Sequence, residues 1–201
     1  AYHSLLPFED LVVALVPRRS VMGLDRHTGR IAWEEPIPGS QDTWAAPIPH
    51  GENIISGSTP GHLVALRLGT GEVVWKVAVP FDYATALTGH TERIFGCADD
   101  GSAFCIDAES GEVVWRYQTG QGLLDMSPQT RNTSAAFAAP VVYAGRLVIS
   151  GVDGFLHLLD LETGRCLSQV EIGAPVTAAP TPLGDGLAVA TWDGTLRLLE
   201  L

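Results

Sequence analysis

The groups in this sequence that could serve as nucleophiles, metal ligands or general acids and bases are three cysteines, six histidines and 23 Asp and Glu side chains. Their spacing assembles none of these chemistries. Cys97, Cys105 and Cys166 form no Cys-x-x-Cys pair, and His3, His27, His50, His62, His90 and His157 include no His-x-x-x-His pair, so the ligand spacings of zinc sites are missing. No Gly-x-Ser-x-Gly elbow presents a serine, and no Gly-rich loop ending in Lys-Ser or Lys-Thr could cradle a phosphate. A calcium cage needs Asp and Asn at loop-ligand spacing, whereas Asp99-Asp100 runs into Gly101 and reads as a turn. The histidines read as exposed turn residues. The sequence therefore predicts no enzyme, no metal and no cofactor.

Charge narrows the partners. Twelve Lys and Arg against 23 Asp and Glu give a formal net charge of −11, which opposes condensation onto nucleic acid or anionic lipid. The Arg18-Arg19 pair is read as a solvated turn. The longest clean apolar run, Leu11 to Val16, is strand-sized and far below the ~18 residues of a membrane-spanning helix. No basic-then-apolar leader opens the sequence, and the compartment, bacterial periplasm or cytoplasm, stays open. Cys97 and Cys105 flank Asp99–Ser102. A two-residue turn at Asp100-Gly101 would set Cys97 opposite Phe104 and Cys105 opposite Gly96, with the sulfurs on opposite sheet faces. Three buried free thiols are expected.

The elements that would position any site emerge when the sequence is laid on itself. Gly23–Trp33, Ala65–Trp75 and Cys105–Trp115 share one eleven-residue pattern, ending in Thr-Gly or Ser-Gly and then Trp four residues after the glycine. Leu158–Ser168 keeps Asp160, Thr163 and Gly164 but has Ser168 in place of the tryptophan, and a fifth copy begins at Leu198. Spacings of 42, 40 and 53 residues between these marks are propeller-blade lengths with one insertion, residues 121–134. The repeats span about 1–39, 43–81, 84–122, 135–174 and 177–201, forming one domain.

Each repeat reads as four short strands, A to D, without a helix. Strand A is assigned to segments of small residues and proline, such as Ala45–Pro49, Phe137–Val141 and Thr177–Thr181. Strands B and C are joined by Asp-Gly turns at Asp100, Asp153 and Asp193. Strands C and D are joined around Gly29, Gly71, Gly111 and Gly164, where Asp25, Asp107 and Asp160 are placed to accept backbone N–H groups. The predicted fold is an all-β propeller of about five antiparallel blades, the last lacking its outermost strand.

The Asp, Thr-Gly and Trp pattern resembles the tryptophan-docking motif of the pyrroloquinoline-quinone-type propeller repeat, over essentially the whole chain. The resemblance implies that Trp33, Trp75 and Trp115 stack between neighbouring blades. It also raises a quinoprotein dehydrogenase as an alternative. Such enzymes usually have eight blades, a Ca²⁺ beside the quinone and often adjacent cysteines. With about five repeats and no adjacent cysteines, the chain is closer to the non-enzymatic branch that includes outer-membrane assembly lipoproteins, and a protein–protein interaction scaffold is expected.

Antiparallel pairing sends the B–C turns and D–A connections to one rim, which would carry Arg18, Asp99, Asp100, Asp153, Trp192, Asp193 and the insertion. That rim is the candidate binding face for a protein partner. The unpaired edge of the last strand offers a second route, to a homo-oligomer or to further blades from missing sequence or another chain.

Overall fold

A computed structural model describes residues 5–16, 20–36, 47–58, 61–79, 84–98, 100–120, 122–123 and 138–200. Among these residues five antiparallel sheets follow one another in sequence. The first holds β1 (Leu5–Phe8), β2 (Leu11–Val16), β3 (Ser20–Asp25) and β4 (Ile31–Pro36). The second holds β5 (Ile48–His50), β6 (Asn53–Ser58), β7 (His62–Arg67) and β8 (Val73–Ala78). The third holds β9 (Ala84–His90), β10 (Arg93–Ala98), β11 (Ser102–Asp107) and β12 (Val113–Gln118). The fourth holds β13 (Val141–Tyr143), β14 (Arg146–Ser150), β15 (Phe155–Asp160) and β16 (Cys166–Glu171). The fifth has three strands, β17 (Thr181–Leu183), β18 (Gly186–Ala190) and β19 (Leu196–Glu200), and β19 is its edge. Within every sheet, order in space equals order in sequence, the arrangement of a propeller blade. No helix occurs among the described residues.

One sequence assignment moves. In the fourth and fifth sheets the small-residue and proline segments lead into strand A, β13 starting at Val141 after Pro140 and β17 at Thr181 after Pro180, whereas in the second Ile48 and Pro49 belong to β5. Strand A is an edge of its sheet, where proline is tolerated, and Pro7, Pro49 and Pro182 all lie within it.

Both faces of the inner strands of the second, third and fourth sheets are apolar because each of these sheets packs against two neighbours. Val13, Val21 and Trp33 of the first sheet meet Ile54, Val64 and Leu66 of the second. Ile55, Leu63 and Trp75 meet Leu87, Phe104 and Ile106 of the third. Phe95, Cys105 and Trp115 meet Leu147, Ile149 and Leu159 of the fourth. Leu156, Leu158 and Ile172 meet Leu187 and Val189 of the fifth. At about 1.5 to 3 kcal/mol per fully buried aliphatic side chain, these four layers are the main source of stability.

The indoles tie the layers together. Trp33 Nε1 donates to Leu68 O, Trp75 Nε1 to Ala108 O and Trp115 Nε1 to Leu161 O, each at 3.0 Å and each on the following sheet. Each ring also covers the glycine that ends the following C–D turn. A Cβ on Gly71 would sit 2.4 Å from the Trp33 ring, on Gly111 2.7 Å from Trp75, and on Gly164 2.4 Å from Trp115. Those glycines have φ of +75°, +77° and +66°, so position and conformation both exclude a side chain. Replacing Trp75 with Ala removes the ring and its hydrogen bond from the second junction. We expect a loss of about 3 to 5 kcal/mol in urea titration, with a correspondingly lower Tm.

Candidate interaction rim

The three B–C turns share one construction. Asp100 Oδ1 accepts Ser102 N at 2.9 Å, Asp153 Oδ1 accepts Phe155 N at 3.2 Å, and Asp193 Oδ1 accepts Thr195 N at 3.1 Å. The next residues, Gly101, Gly154 and Gly194, have φ of +80° to +85° and donate N–H to Ala98, Gly151 and Thr191 O. A β-turn closed by a left-handed glycine makes a three-residue loop, not the two-residue turn read from the sequence.

Register and faces change accordingly. Cys97 lies opposite Ala103, not Phe104, and Cys105 lies opposite Phe95, not Gly96. Both thiols therefore face the same way, into the layer between the third and fourth sheets. Neither forms a disulfide, and burial pushes each thiol up to about 12. Cys166, expected to be buried, is half-buried.

The rim residues separate into two kinds. Asp153 is only 8% exposed and is held from several sides. His157 Nε2 lies 3.0 Å from Asp153 Oδ2, and Gly120 N donates to the same oxygen at 2.8 Å. His157, expected in an exposed turn, lies in β15 at 1% exposure. Its Nδ1 is 3.0 Å from Tyr117 Oη and 3.1 Å from Gln169 Nε2. Burial would raise the Asp153 carboxyl, but the bonds from His157, Gly120 and Phe155 outweigh it and hold the group below 3.8. Gly120 is where the insertion leaves β12, so this network anchors the insertion's root. Asp100 is likewise engaged, by Arg116 and by the N–H and hydroxyl of Ser102.

Trp192 and Asp193 point outward. Trp192 is 64% exposed, with its own N–H donated to Pro175 O at 2.9 Å. Asp193 is exposed, its carboxyl lowered by the Thr191 hydroxyl and then by the Thr195 N–H. Leu123, not singled out by the sequence, is 58% exposed and donates its N–H to Val152 O at 2.9 Å. Leu123 packs on Gly154 beside Gly173 and Ala174, so it and Trp192 abut the same connecting segment. Arg18, Asp99 and residues 124–137 lie outside the described residues. No group of three His, Cys, Asp or Glu side chains among the described residues could hold a metal.

A family model described as the outer membrane protein assembly factor BamB matches residues 17–145. The chain belongs to that family. The BamB of Legionella pneumophila is 25% identical to it over 210 residues, covering 100% of this chain and 51% of that protein. The chain thus spans about half the length of the curated relative it matches. The crystal structure of BamB from Moraxella catarrhalis superposes with a TM-score of 0.77 at 24% identity, covering 98% of this chain and 57% of that one. A quinohemoprotein alcohol dehydrogenase from Comamonas testosteroni superposes almost as well, with a TM-score of 0.75. At 13% identity over 41% of that enzyme, the likeness is one of fold alone.

The Asp153 network yields a stability prediction with a defined sign. A carboxyl held below its ordinary value stabilises the fold above that value and loses its contribution as pH falls through the lowered one. Wild type should lose stability as pH falls below the ordinary carboxyl value of 3.8, and Asp153→Asn should lose less over the same range. Asp153→Ala, which strands His157 Nε2 and two amides, should cost about 3 kcal/mol at neutral pH by denaturant titration.

Proposed function

We propose that this chain is a non-catalytic protein-interaction part of an outer membrane protein assembly factor, and that it docks its partner on the B–C/D–A rim. The supporting observation is the exposure of Trp192 and Leu123, two large apolar side chains left in solvent on a rim whose carboxylate and imidazole groups are largely engaged internally. Exposed aromatic anchors of this kind dominate protein interfaces, and surrounding polar turns supply a rim that excludes water. Belonging to the BamB family supports a partner within the outer-membrane assembly apparatus.

The rim is tested by a photo-crosslinking residue placed at position 192 in cells. An adduct with an assembly component is expected, and it should be lost when Leu123→Ala is added. The same adduct at full yield in Leu123→Ala, or no adduct from position 192, would place the interface elsewhere. Asp153 should be left intact in such variants, because its loss perturbs the fold. Against a quinone enzyme, the chain incubated with pyrroloquinoline quinone and Ca²⁺ should show no bound-quinone absorbance and no dye-linked alcohol oxidation.

A second reading has its own support: these five sheets belong to a larger ring. Leu196 and Leu198 of β19 are 73% and 60% exposed, although the corresponding Leu156 and Leu158 of β15 are buried against the next sheet. At the other end, Gly29 has φ of +69° and the same Asp-capped turn as the docks at Gly111 and Gly164, yet among the described residues nothing would lie within 4 Å of a Cβ placed on it. Both faces suit further sheets of this kind, the one on Gly29 bringing a tryptophan. In the complete assembly, Gly29→Ala should then destabilise as much as Gly111→Ala. A loss of no more than about 1 kcal/mol, the cost of a left-handed alanine alone, would show the dock unused.

A further inference from the structure

Trp192 lies in the B–C turn of the fifth sheet, and comparison with the fourth sheet shows what holds it there. Its counterpart, the residue before the turn aspartate, is Val152, which is only 3% exposed. That turn is supported from the third sheet: Leu123 donates its N–H to Val152 O and packs over Gly154. The counterpart of Gly154 is Gly194, and among the described residues nothing would lie within 4 Å of a Cβ placed on it. The connecting segment reaches the fifth turn through Pro175 O, which accepts Trp192 N at 2.9 Å.

The fifth turn is braced from within. Two residues before the turn aspartates stand Ala98, Gly151 and Thr191, so of these three turns the fifth alone has a hydroxyl at that place. Thr191 is 8% exposed. Its Oγ1 donates to Asp193 Oδ1 and lies 3.0 Å from Thr195 O, while its N–H donates to Thr195 O at 2.9 Å. Thr195 N donates to the same Asp193 oxygen at 3.1 Å. A threonine side chain is stiff at χ1, so its hydroxyl ties the backbone before Trp192 to the residues after it and fixes the direction in which the indole leaves the chain. Both contacts to Asp193 use Oδ1, an acceptor that asparagine also has, so this clasp needs an acceptor and no charge.

We infer that Thr191 is the positioning residue of the Trp192 anchor, and that Asp193 completes the clasp instead of meeting the partner. The inference rests on the rim reading above and adds to it the means by which the anchor is held ready. An aromatic anchor already fixed in its bound direction avoids part of the ordering cost of association, and such anchors carry most of the energy of an interface.

The test combines amide hydrogen exchange of the ¹⁵N-labelled chain with the crosslink from position 192. In Thr191→Val, which keeps the shape and removes the hydroxyl, exchange at Trp192 and Gly194 should quicken about fivefold, while Val148 and Leu158 of the fourth sheet keep their rates. Adduct yield should fall by a similar factor. Thr191→Ser and Asp193→Asn, which keep the hydroxyl and the acceptor, should match the parent chain in both measurements. Unchanged exchange at Trp192 in Thr191→Val, exchange quickened equally in the fourth sheet, or an undiminished adduct would overturn the inference and leave the rim reading standing. Loss of the adduct in Asp193→Asn with exchange unchanged would show a direct charge contact and overturn the role given to Asp193. No adduct from position 192 in the otherwise unaltered chain would remove the rim reading and this inference with it.

Discussion

The stacking of an indole on a bare glycine backbone of the next sheet is the contact on which this architecture depends. A propeller blade cannot bury both of its apolar faces alone, and adjacent sheets share no strand hydrogen bonds across their faces, so their relative position must be set by side chains. Trp33, Trp75 and Trp115 set it at three points, each with a stack and a hydrogen bond to a main-chain carbonyl. A directional bond combined with a flat contact fixes distance and angle together, which apolar packing by itself does not. The receiving turn must hold its carbonyl still, and it does so through Asp107 and Asp160, whose carboxylates gather the N–H groups of Glu109 and Ser110, and of Glu162 and Thr163.

The fourth repeat shows how the arrangement tolerates loss of the indole. The strand-C residue directly opposite the tryptophan is small in the first three sheets: Gly23 faces Trp33, Ala65 faces Trp75 and Cys105 faces Trp115. A Cβ on Gly23 would fall 2.4 Å from the Trp33 ring, so small size is required there. In the fourth sheet the pair is reversed in volume, Leu158 facing Ser168, and Leu158 is buried in the layer against the fifth sheet. Leu158 restores part of the volume lost with the indole, which limits the void left in the core. Directional orientation is lost while burial is kept.

The sheets were legible in the sequence because the marks that define them, Thr-Gly or Ser-Gly followed by Trp at a fixed distance, are imposed by the backbone and cannot drift. The B–C turns were less legible. Asp-Gly is compatible with both two- and three-residue loops, and the choice turns on the aspartate capping the amide two residues on, which slips the register by one and brings Cys97 and Cys105 to the same face. His157 was misread for a related reason. As a polar residue inside the apolar strand β15, next to Leu156 and Leu158, its position signalled a buried network, but its partners Tyr117 and Gln169 come from other strands at a distance that no local pattern reveals. Leu123 carried no signal at all, since only the fold brings it beside Gly154.

The two rims thus differ in kind, although one repeat builds both. On the B–C/D–A rim the turns are rigid, and their aspartates are used up in holding the loops: Asp153 ties down the root of the insertion and Asp100 closes on Arg116. What such a rim can offer a partner is apolar surface in a fixed place, as at Trp192 and Leu123. On the A–B/C–D rim the C–D turns carry Asp25, Asp107 and Asp160 in the first, third and fourth sheets but Arg67 in the second, and the pairing at each junction depends on whether the chain provides a guanidinium to a carboxylate across it. Arg93 does so between the third and fourth sheets, and Asn53 does not between the second and third. A repeat protein can therefore change the charge pairing at one junction by a single side chain, without altering a strand or a turn, because the neighbouring repeats go on enforcing the geometry around it.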